Sequence, residues 1–301
     1  MNHETGTGIV IAVWVKKVKE IRKRGSDKMK DNLLWKELMG GGRKNDNPVL
    51  ERLYKGNRSA YESIRELVQK NRILPFIGAG FSAEVYPSWS RFLLDIAVAY
   101  PDCEKAVSEC IAQGQYEEAA EILCGEMTEF YFKKEISQTF GKHTLAGKWE
   151  NISSSRKKLD EIFRCSMITT NYDRVLETIY HHELEVVCPH TEYQRPLLDN
   201  ILHSNQPSLI KLHGDIEDIS HIVITKDDYE KVYGSSAVQE AQGILVPMLK
   251  RILESRIVLF LGCSLCSDRT MQVLLDSAGE TRQYYALAEL PKETENPEDP
   301  F

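Results

Sequence analysis

Ile73-Leu74-Pro75-Phe76-Ile77-Gly78-Ala79-Gly80-Phe81-Ser82 is the stretch on which the reading of this chain turns. Five apolar residues run into Gly-x-Gly, the pattern of a buried strand emptying into a tight turn. Such a turn brings backbone N–H groups close to a phosphate, because a Cβ at either glycine would block the approach. No third glycine follows at the spacing of the dinucleotide fingerprint, so on these residues alone a plain turn beneath a helix is the better reading. Pro75 cannot donate to a ladder, which predicts a strand only partly paired at its start.

Composition sets the outer limits. With 301 residues, 42% hydrophobic and 28% charged, the chain has the profile of a globular protein with one large α/β domain or two small ones. A net charge of −7 gives no overall electrostatic case for binding nucleic acid. Seven cysteines at irregular spacings fit a reducing cytoplasm better than a disulfide framework. Cys263 and Cys266 form a lone C-x-x-C with no second ligand pair at suitable spacing, so they read as small residues at a strand end, and no zinc or other metal site is expected. Ile9 to Val15 is too short to cross a bilayer. The basic run Lys16, Lys17, Lys19, Arg22, Lys23 and Arg24 follows that apolar stretch rather than preceding it, the reverse of a secretory signal.

Residues 1–55 read as a basic and polar extension, with a helix from about Ile9 to Arg24 whose basic run forms a solvated face. Residues 56–301 read as the main domain. Ser59-Ala60-Tyr61-Glu62 fits a capping box, followed by the stripe Tyr61, Ile64, Leu67 and Val68. After the glycine turn, Ser88 is placed to cap a helix with Trp89, Phe92, Leu93, Ile96, Ala97 and Tyr100 on one face. Only helical patterns follow, among them Tyr116 to Cys124 and Tyr131 to Phe140, until about Phe163. That is too much chain for one crossover helix, so residues of about 101–160 read as a helical insertion. Strands are predicted at Ser166–Thr170, Leu184–Cys188, Ser208–Leu212, Ile222–Thr225, Ile257–Leu261 and Gln283–Ala288, with helical patterns such as Asp173–Tyr180 and Val238–Leu253 between them. Short apolar strands alternating with helices define an α/β, Rossmann-like, doubly wound parallel sheet, here with the helical insertion after its first strand. The acidic, Pro-containing tail Lys292 to Phe301 reads as a linker to a further domain or as a disordered end.

In such sheets ligands bind beyond the carboxyl ends of the strands. Reading past each strand gives Gly78-Ala79-Gly80-Phe81-Ser82, then Thr169-Thr170-Asn171-Tyr172-Asp173, then Lys211-Leu212-His213-Gly214-Asp215, then Gly262-Cys263-Ser264-Leu265. Singly, Asp173 reads as a helix cap, Asn171 as a turn residue and His213 as a satisfied histidine. Together they gather small, amide, imidazole and carboxylate groups at one sheet edge.

These segments, with Ile222-Val223-Ile224-Thr225-Lys226-Asp227-Asp228-Tyr229, resemble in order and spacing the signature blocks of the sirtuin superfamily, in particular its bacterial sirtuin-like branch. The resemblance covers roughly residues 70 to 290. It implies hydrolysis of NAD⁺ to nicotinamide and ADP-ribose in defence against phage, with NAD as the substrate. At matching positions, Gly78, Ala79, Gly80, Phe81 and Ser82 would wrap the pyrophosphate and adjoining ribose. Asn171 would hold a water or the nicotinamide ribose, supported by Thr170 and Asp173. His213 would act on the ribose hydroxyls as general base, and Gly262, Ser264 and Leu265 would line the adenosine side.

Protein-deacylating sirtuins carry a small domain built on four zinc-binding cysteines, and between His213 and Cys263 this chain has no cysteine. That departure places hydrolysis by water ahead of NAD-dependent deacylation. A module that binds NAD or ADP-ribose without catalysis is the rival from another class, and Asn171 with His213 is what it would not need. A hydride-transferring dehydrogenase is weakened by the missing third glycine. An unrestrained NAD hydrolase would harm its host, so control by a homo-oligomer or by a defence-system partner is expected.

Overall fold

Strands whose apolar residues are consecutive rather than alternating need cover on both faces, and the chain supplies it. A computed structural model describes residues 9–14, 48–191, 206–234, 243–264, 270, 273 and 284–289. Its strands are β1 (Ile9–Trp14), β2 (Ile73–Ile77), β3 (Met167–Thr169), β4 (Glu185–Val187), β5 (Ser208–Lys211), β6 (Ile257–Leu261) and β7 (Tyr284–Glu289). They form one seven-stranded sheet in the order β1-β7-β6-β2-β3-β5-β4. Every pairing is parallel.

Alternate residues of β2 divide the core in two. Ile73 and Ile77 point into one apolar layer with Met167, Leu209, Leu259 and Leu261. Leu74 and Phe76 point into the other, with Ile168, Ile210, Val258 and Phe260. Pro75 is accommodated as its chemistry demands. β2 pairs with β6 along Ile73–Ile77 but with β3 only at Phe76 and Ile77, so the start of the strand has a ladder on one side only.

The helices are α1 (Pro48–Gln69), α2 (Trp89–Ala97), α3 (Pro101–Ala112), α4 (Tyr116–Met127), α5 (Glu129–Phe140), α6 (Lys142–Lys148), α7 (Leu159–Ile162), α8 (Val175–Ile179), α9 (Lys226–Tyr233) and α10 (Leu245–Ser255). Ser88 caps α2 as its sequence implies, its Oγ accepting from the Arg91 N–H at 3.2 Å. Helices α3 to α6 are the insertion, and aromatic packing ties them to the sheet. Phe92 of α2 meets Phe132 and Phe140 of α5 at centroid distances of 6.2 and 5.1 Å. Trp89 meets Tyr172, just beyond β3, edge-on at 5.9 Å. On the other face α10 contributes Leu245, Leu249, Ile252 and Leu253.

Three local readings are corrected. Ile9–Trp14 is a strand paired in parallel with β7, not the start of a helix, because a β-branched run beside an open sheet edge gains a full ladder there; residues 15–24 lie outside the described ones. In consequence the insertion follows the second strand in chain order, not the first. Ser59 caps nothing: α1 starts at Pro48, a residue suited to a first helical turn, and Ser59 lies within it. Ile222–Thr225 is buried but forms no strand. Its backbone is satisfied elsewhere: Val223 N–H donates to His213 O at 2.9 Å, Tyr172 Oη–H donates to Val223 O at 2.6 Å, and the Ile224 and Thr225 N–H groups donate to Asp228 Oδ2.

Phe132 is 1% exposed at the centre of the aromatic layer. Phe132→Ala is expected to lower the unfolding free energy in urea by about 3–5 kcal/mol; a loss below about 1 kcal/mol would show that the insertion is not packed into this core.

Candidate active site

The sheet register builds the site. Leu261, Ile77, Thr169 and Lys211 are mutually paired across β6, β2, β3 and β5. The segments beyond them therefore leave the sheet together. β2 has β3, the next strand in the chain, on one side and β6, a late strand, on the other. That reversal is the switch point at which doubly wound sheets open a crevice.

The glycine turn is fitted first to its neighbour. A Cβ on Gly78 would lie 2.7 Å from Gly262 O and 2.8 Å from Cys263 Sγ. Gly262 has φ +67°, and its own Cβ would lie 2.4 Å from the Phe81 nitrogen. Gly78 N–H donates to Leu261 O at 2.9 Å and Gly80 N–H to Gly262 O at 2.8 Å, while Phe81 and Ser82 N–H donate to Gly78 O and Ala79 O at 3.0 Å each. The glycines thus serve the close approach of two strand ends. Of the N–H groups expected to cradle a phosphate, those of Gly78 and Gly80 are engaged by the end of β6 and those of Phe81 and Ser82 within the turn. Ala79 and Gly80 are exposed, and Phe81 and Ser82 are buried.

Asn171 is 8% exposed and held from three sides. Its N–H donates to Thr169 Oγ1 at 3.0 Å, and Thr169 Oγ1–H donates in turn to Ile77 O at 2.8 Å. Its side-chain Nδ2 donates to Gly78 O at 3.2 Å and to Ser82 Oγ at 3.3 Å. With both amide hydrogens engaged, Oδ1 is the end presented as an acceptor, an orientation assigned by this network. Burial pushes the Asp173 carboxyl above the usual carboxylate range, against the opposing pull of the Val175 N–H, Lys211 and Ser82. Thr170, between the two networks, is half-buried.

His213 is 6% exposed and packs edge-on against Tyr229 and Tyr233. Its Nε2 is 2.8 Å from Tyr233 Oη and its Nδ1 3.4 Å from Tyr229 Oη. Burial, with His190 adding a smaller push, lowers its pKa to about 3. The imidazole is therefore neutral at pH 7. Gly262 and Ser264 are half-buried and exposed at the far side of the glycine turn, and Leu265 lies outside the described residues.

Four residues that the sequence did not single out organise the site. Lys211 is 0% exposed, and its Nζ donates to Tyr172 O at 2.9 Å, Asp173 O at 2.7 Å, Glu177 Oε1 at 3.0 Å and Asp215 Oδ2 at 3.2 Å. Burial alone would lower its pKa, but Glu177 and Asp215 outweigh that and raise it. Asp173 offers this ammonium its main-chain oxygen, so Glu177 and Asp215 balance the charge. Arg174 extends the network to Glu177, Asp215 and Glu217 at 3.3, 3.3 and 2.6 Å. Arg156, from the end of the insertion, donates through Nη2 to Gly80 O at 3.1 Å, pairs with Glu84 at 2.9 Å and lies 5.6 Å over the Phe81 ring. His190 Nε2 is 2.6 Å from His221 O, and its Nδ1 is buried without a hydrogen-bond partner among the described residues. The only available signals were polar residues inside apolar runs, such as lysine in Ser208-Leu209-Ile210-Lys211-Leu212. Among the described residues no group of His, Cys, Asp and Glu is arranged to hold a metal, and no helix is long and apolar enough to cross a membrane.

A parallel, doubly wound sheet with glycine, amide and imidazole groups at adjacent strand ends is the architecture in which ligands bind beyond the carboxyl ends of the strands. Residues 166–299, which include Asn171 and His213, match the family model of the SIR2-like domain. Over 217 residues, 70% of the chain, it is 26% identical to a protein of Enterococcus faecium named NAD(+) hydrolase ThsA. Over 263 residues, 84% of the chain, it is 26% identical to a protein of the same name from Bacillus cereus (strain MSX-D12). The chain spans less than half the length of these relatives, 41% and 48%.

The neutral burial of His213 predicts a pH effect with a definite sign. The unfolded chain takes up a proton near pH 6.5, whereas the folded chain resists it down to about pH 3. This contribution is therefore complete above the unfolded pKa and is lost as pH falls. Between pH 7 and pH 5 it amounts to about 2 kcal/mol. Urea unfolding of wild type and His213→Gln at both pH values measures it: the wild type should lose about 2 kcal/mol more than the variant. Equal losses would mean that His213 is not buried as a neutral ring.

Proposed function

We propose that the chain hydrolyses NAD⁺ at the bond between nicotinamide and ribose, so that NAD⁺ and water give nicotinamide, ADP-ribose and a proton. The observation that carries the reading is that Ser82, Asn171 and His213 lie just beyond the carboxyl ends of the neighbouring strands β2, β3 and β5, with Asn171 hydrogen-bonded to Ser82. It gains support from the SIR2-like domain and from two relatives named as NAD(+) hydrolases.

The chemistry suits these groups. Nicotinamide leaves as a neutral molecule, so no strong acid is required. Positive, oxocarbenium-like charge grows on the ribose, and water must reach C1′ from the opposite face. A site for this step has to orient one nucleophile and place acceptors near the developing charge. Asn171 Oδ1, fixed by its two amide donors, is such an acceptor for water or for the charge itself. His213 hydrogen-bonds the ribose hydroxyls. Gly78, Ala79, Gly80, Phe81 and Ser82 border the pyrophosphate and its ribose, with Thr170 and Asp173 supporting the pocket. Gly262, Ser264 and Leu265 line the adenosine side. On this reading the protein is a regulated, NAD-depleting effector of anti-phage defence that works in the cytoplasm, restrained by oligomerisation or by a partner.

One observation favours a second reading. Both His213 ring nitrogens already have partners within the chain, which suits a module that binds NAD or ADP-ribose without turning it over. Nicotinamide release and calorimetric NAD⁺ binding, measured on wild type, Asn171→Ala and His213→Ala, separate the two. Hydrolysis predicts release by wild type and a fall of at least about 100-fold in each variant, with binding retained by Asn171→Ala. Release undiminished in both variants would sink the assignment. Binding without release would support the second reading.

A further inference from the structure

Tyr229 and Tyr233 lie one helical turn apart on α9, and that helix has a fixed start. Thr225 Oγ1 accepts from the Asp228 N–H while the Asp228 carboxylate accepts from the Thr225 N–H, a complete capping box. The i, i+4 spacing then stacks the two phenol rings, with centroids 5.9 Å apart and planes 20° from parallel. Both hydroxyls face His213, at 2.8 Å from Nε2 and 3.4 Å from Nδ1. The first is an ordinary, strong hydrogen bond and the second is at the limit. Behind Tyr233 stands Thr270, buried, whose Oγ1–H donates to Tyr233 Oη at 2.9 Å.

We propose that Tyr233, backed by Thr270, is the positioning residue of His213, fixing which of its ring nitrogens carries the proton. Thr270 fills an acceptor site on Tyr233 Oη, and the phenol proton lies along the short contact to His213 Nε2. Nε2 is then an acceptor and the ring proton sits on Nδ1, the nitrogen with the weaker contact. His213 thus meets a ligand as an N–H donor through Nδ1 rather than as a base. Tyr229 guards that position and yields to a ligand hydroxyl. Among the described residues no carboxylate contacts the ring, so the tyrosine takes the orienting part that an acidic partner has in many histidine sites. The effect on turnover rests on the NAD hydrolysis reading, whereas the proton position does not.

The test uses the full chain labelled with ¹⁵N-histidine, with the His213 signals identified by their absence from His213→Gln. Long-range ¹H–¹⁵N spectra at pH 7 should show the Nδ1-protonated pattern in wild type. In Tyr233→Phe, which keeps the ring and removes the hydroxyl, the pattern should shift towards the Nε2-protonated form. Thr270→Val should move it the same way, and Thr270→Ser should restore it, which guards against a Tyr233→Phe that fails to fold. An Nε2-protonated wild type, or a pattern unmoved by both Tyr233→Phe and Thr270→Val, overturns the proposal. Nicotinamide release by Tyr233→Phe should fall in kcat by about tenfold, the effect of one lost hydrogen bond, with NAD⁺ affinity within about twofold of wild type. A wild type that shows the Nδ1-protonated pattern, shifted in Tyr233→Phe and Thr270→Val, yet releases no nicotinamide leaves the positioning role standing and removes the hydrolase reading instead.

Discussion

A fully buried ammonium is the constraint around which this sheet edge is arranged. Removing an isolated lysine charge from water costs several kcal/mol, so it persists only where carboxylates and oriented dipoles replace the solvent. Lys211 has both: Glu177 and Asp215 for charge, and the main-chain oxygens of Tyr172 and Asp173 as dipoles. Those oxygens belong to the segment that carries Asn171. Satisfying the ammonium therefore dictates where that segment runs, and Lys211 itself is the last residue of β5, two positions before His213. One side chain links the candidate amide and the candidate imidazole.

The rest of the site completes this arrangement. Ser82 reaches from the glycine turn to Asn171, so the turn is coupled to the segment that Lys211 holds. The turn is in turn locked against the β6 end by the mutual fit of Gly78 and Gly262. Trp89 of α2 packs on Tyr172, and the end of the helical insertion leans on the same groups through Arg156 on Gly80 and Phe81. The insertion is thereby part of the scaffold of the site and not merely an ornament between strands.

Much of this was legible in the sequence, for identifiable reasons. β2 and β6 are short, fully apolar runs, β3 and β5 are largely apolar ones, and Ser88 with its stripe marks α2, so strong local signals and tertiary structure agree. Where they disagreed, burial was mistaken for pairing. Ile222–Thr225 has strand composition, yet its backbone is satisfied by His213, Tyr172 and Asp228, contacts that no local pattern encodes. Asn171 and His213 stood out because polar residues at strand ends are conspicuous. Lys211, Arg156 and Tyr233 did not, since their roles exist only through partners distant in the chain. The glycines were noticed for a phosphate, and the structure gives them a nearer reason in the backbone of Gly262.

The most direct test of the Lys211 account is hydrogen–deuterium exchange in Lys211→Met, read on the peptide spanning Thr170 to Thr178. If the ammonium holds this segment, its amides should exchange at least about tenfold faster than in wild type, while peptides from α2 and α5 keep their protection. Unchanged protection of Asn171 to Arg174 would contradict the account, since the segment would then be held by something other than the buried charge.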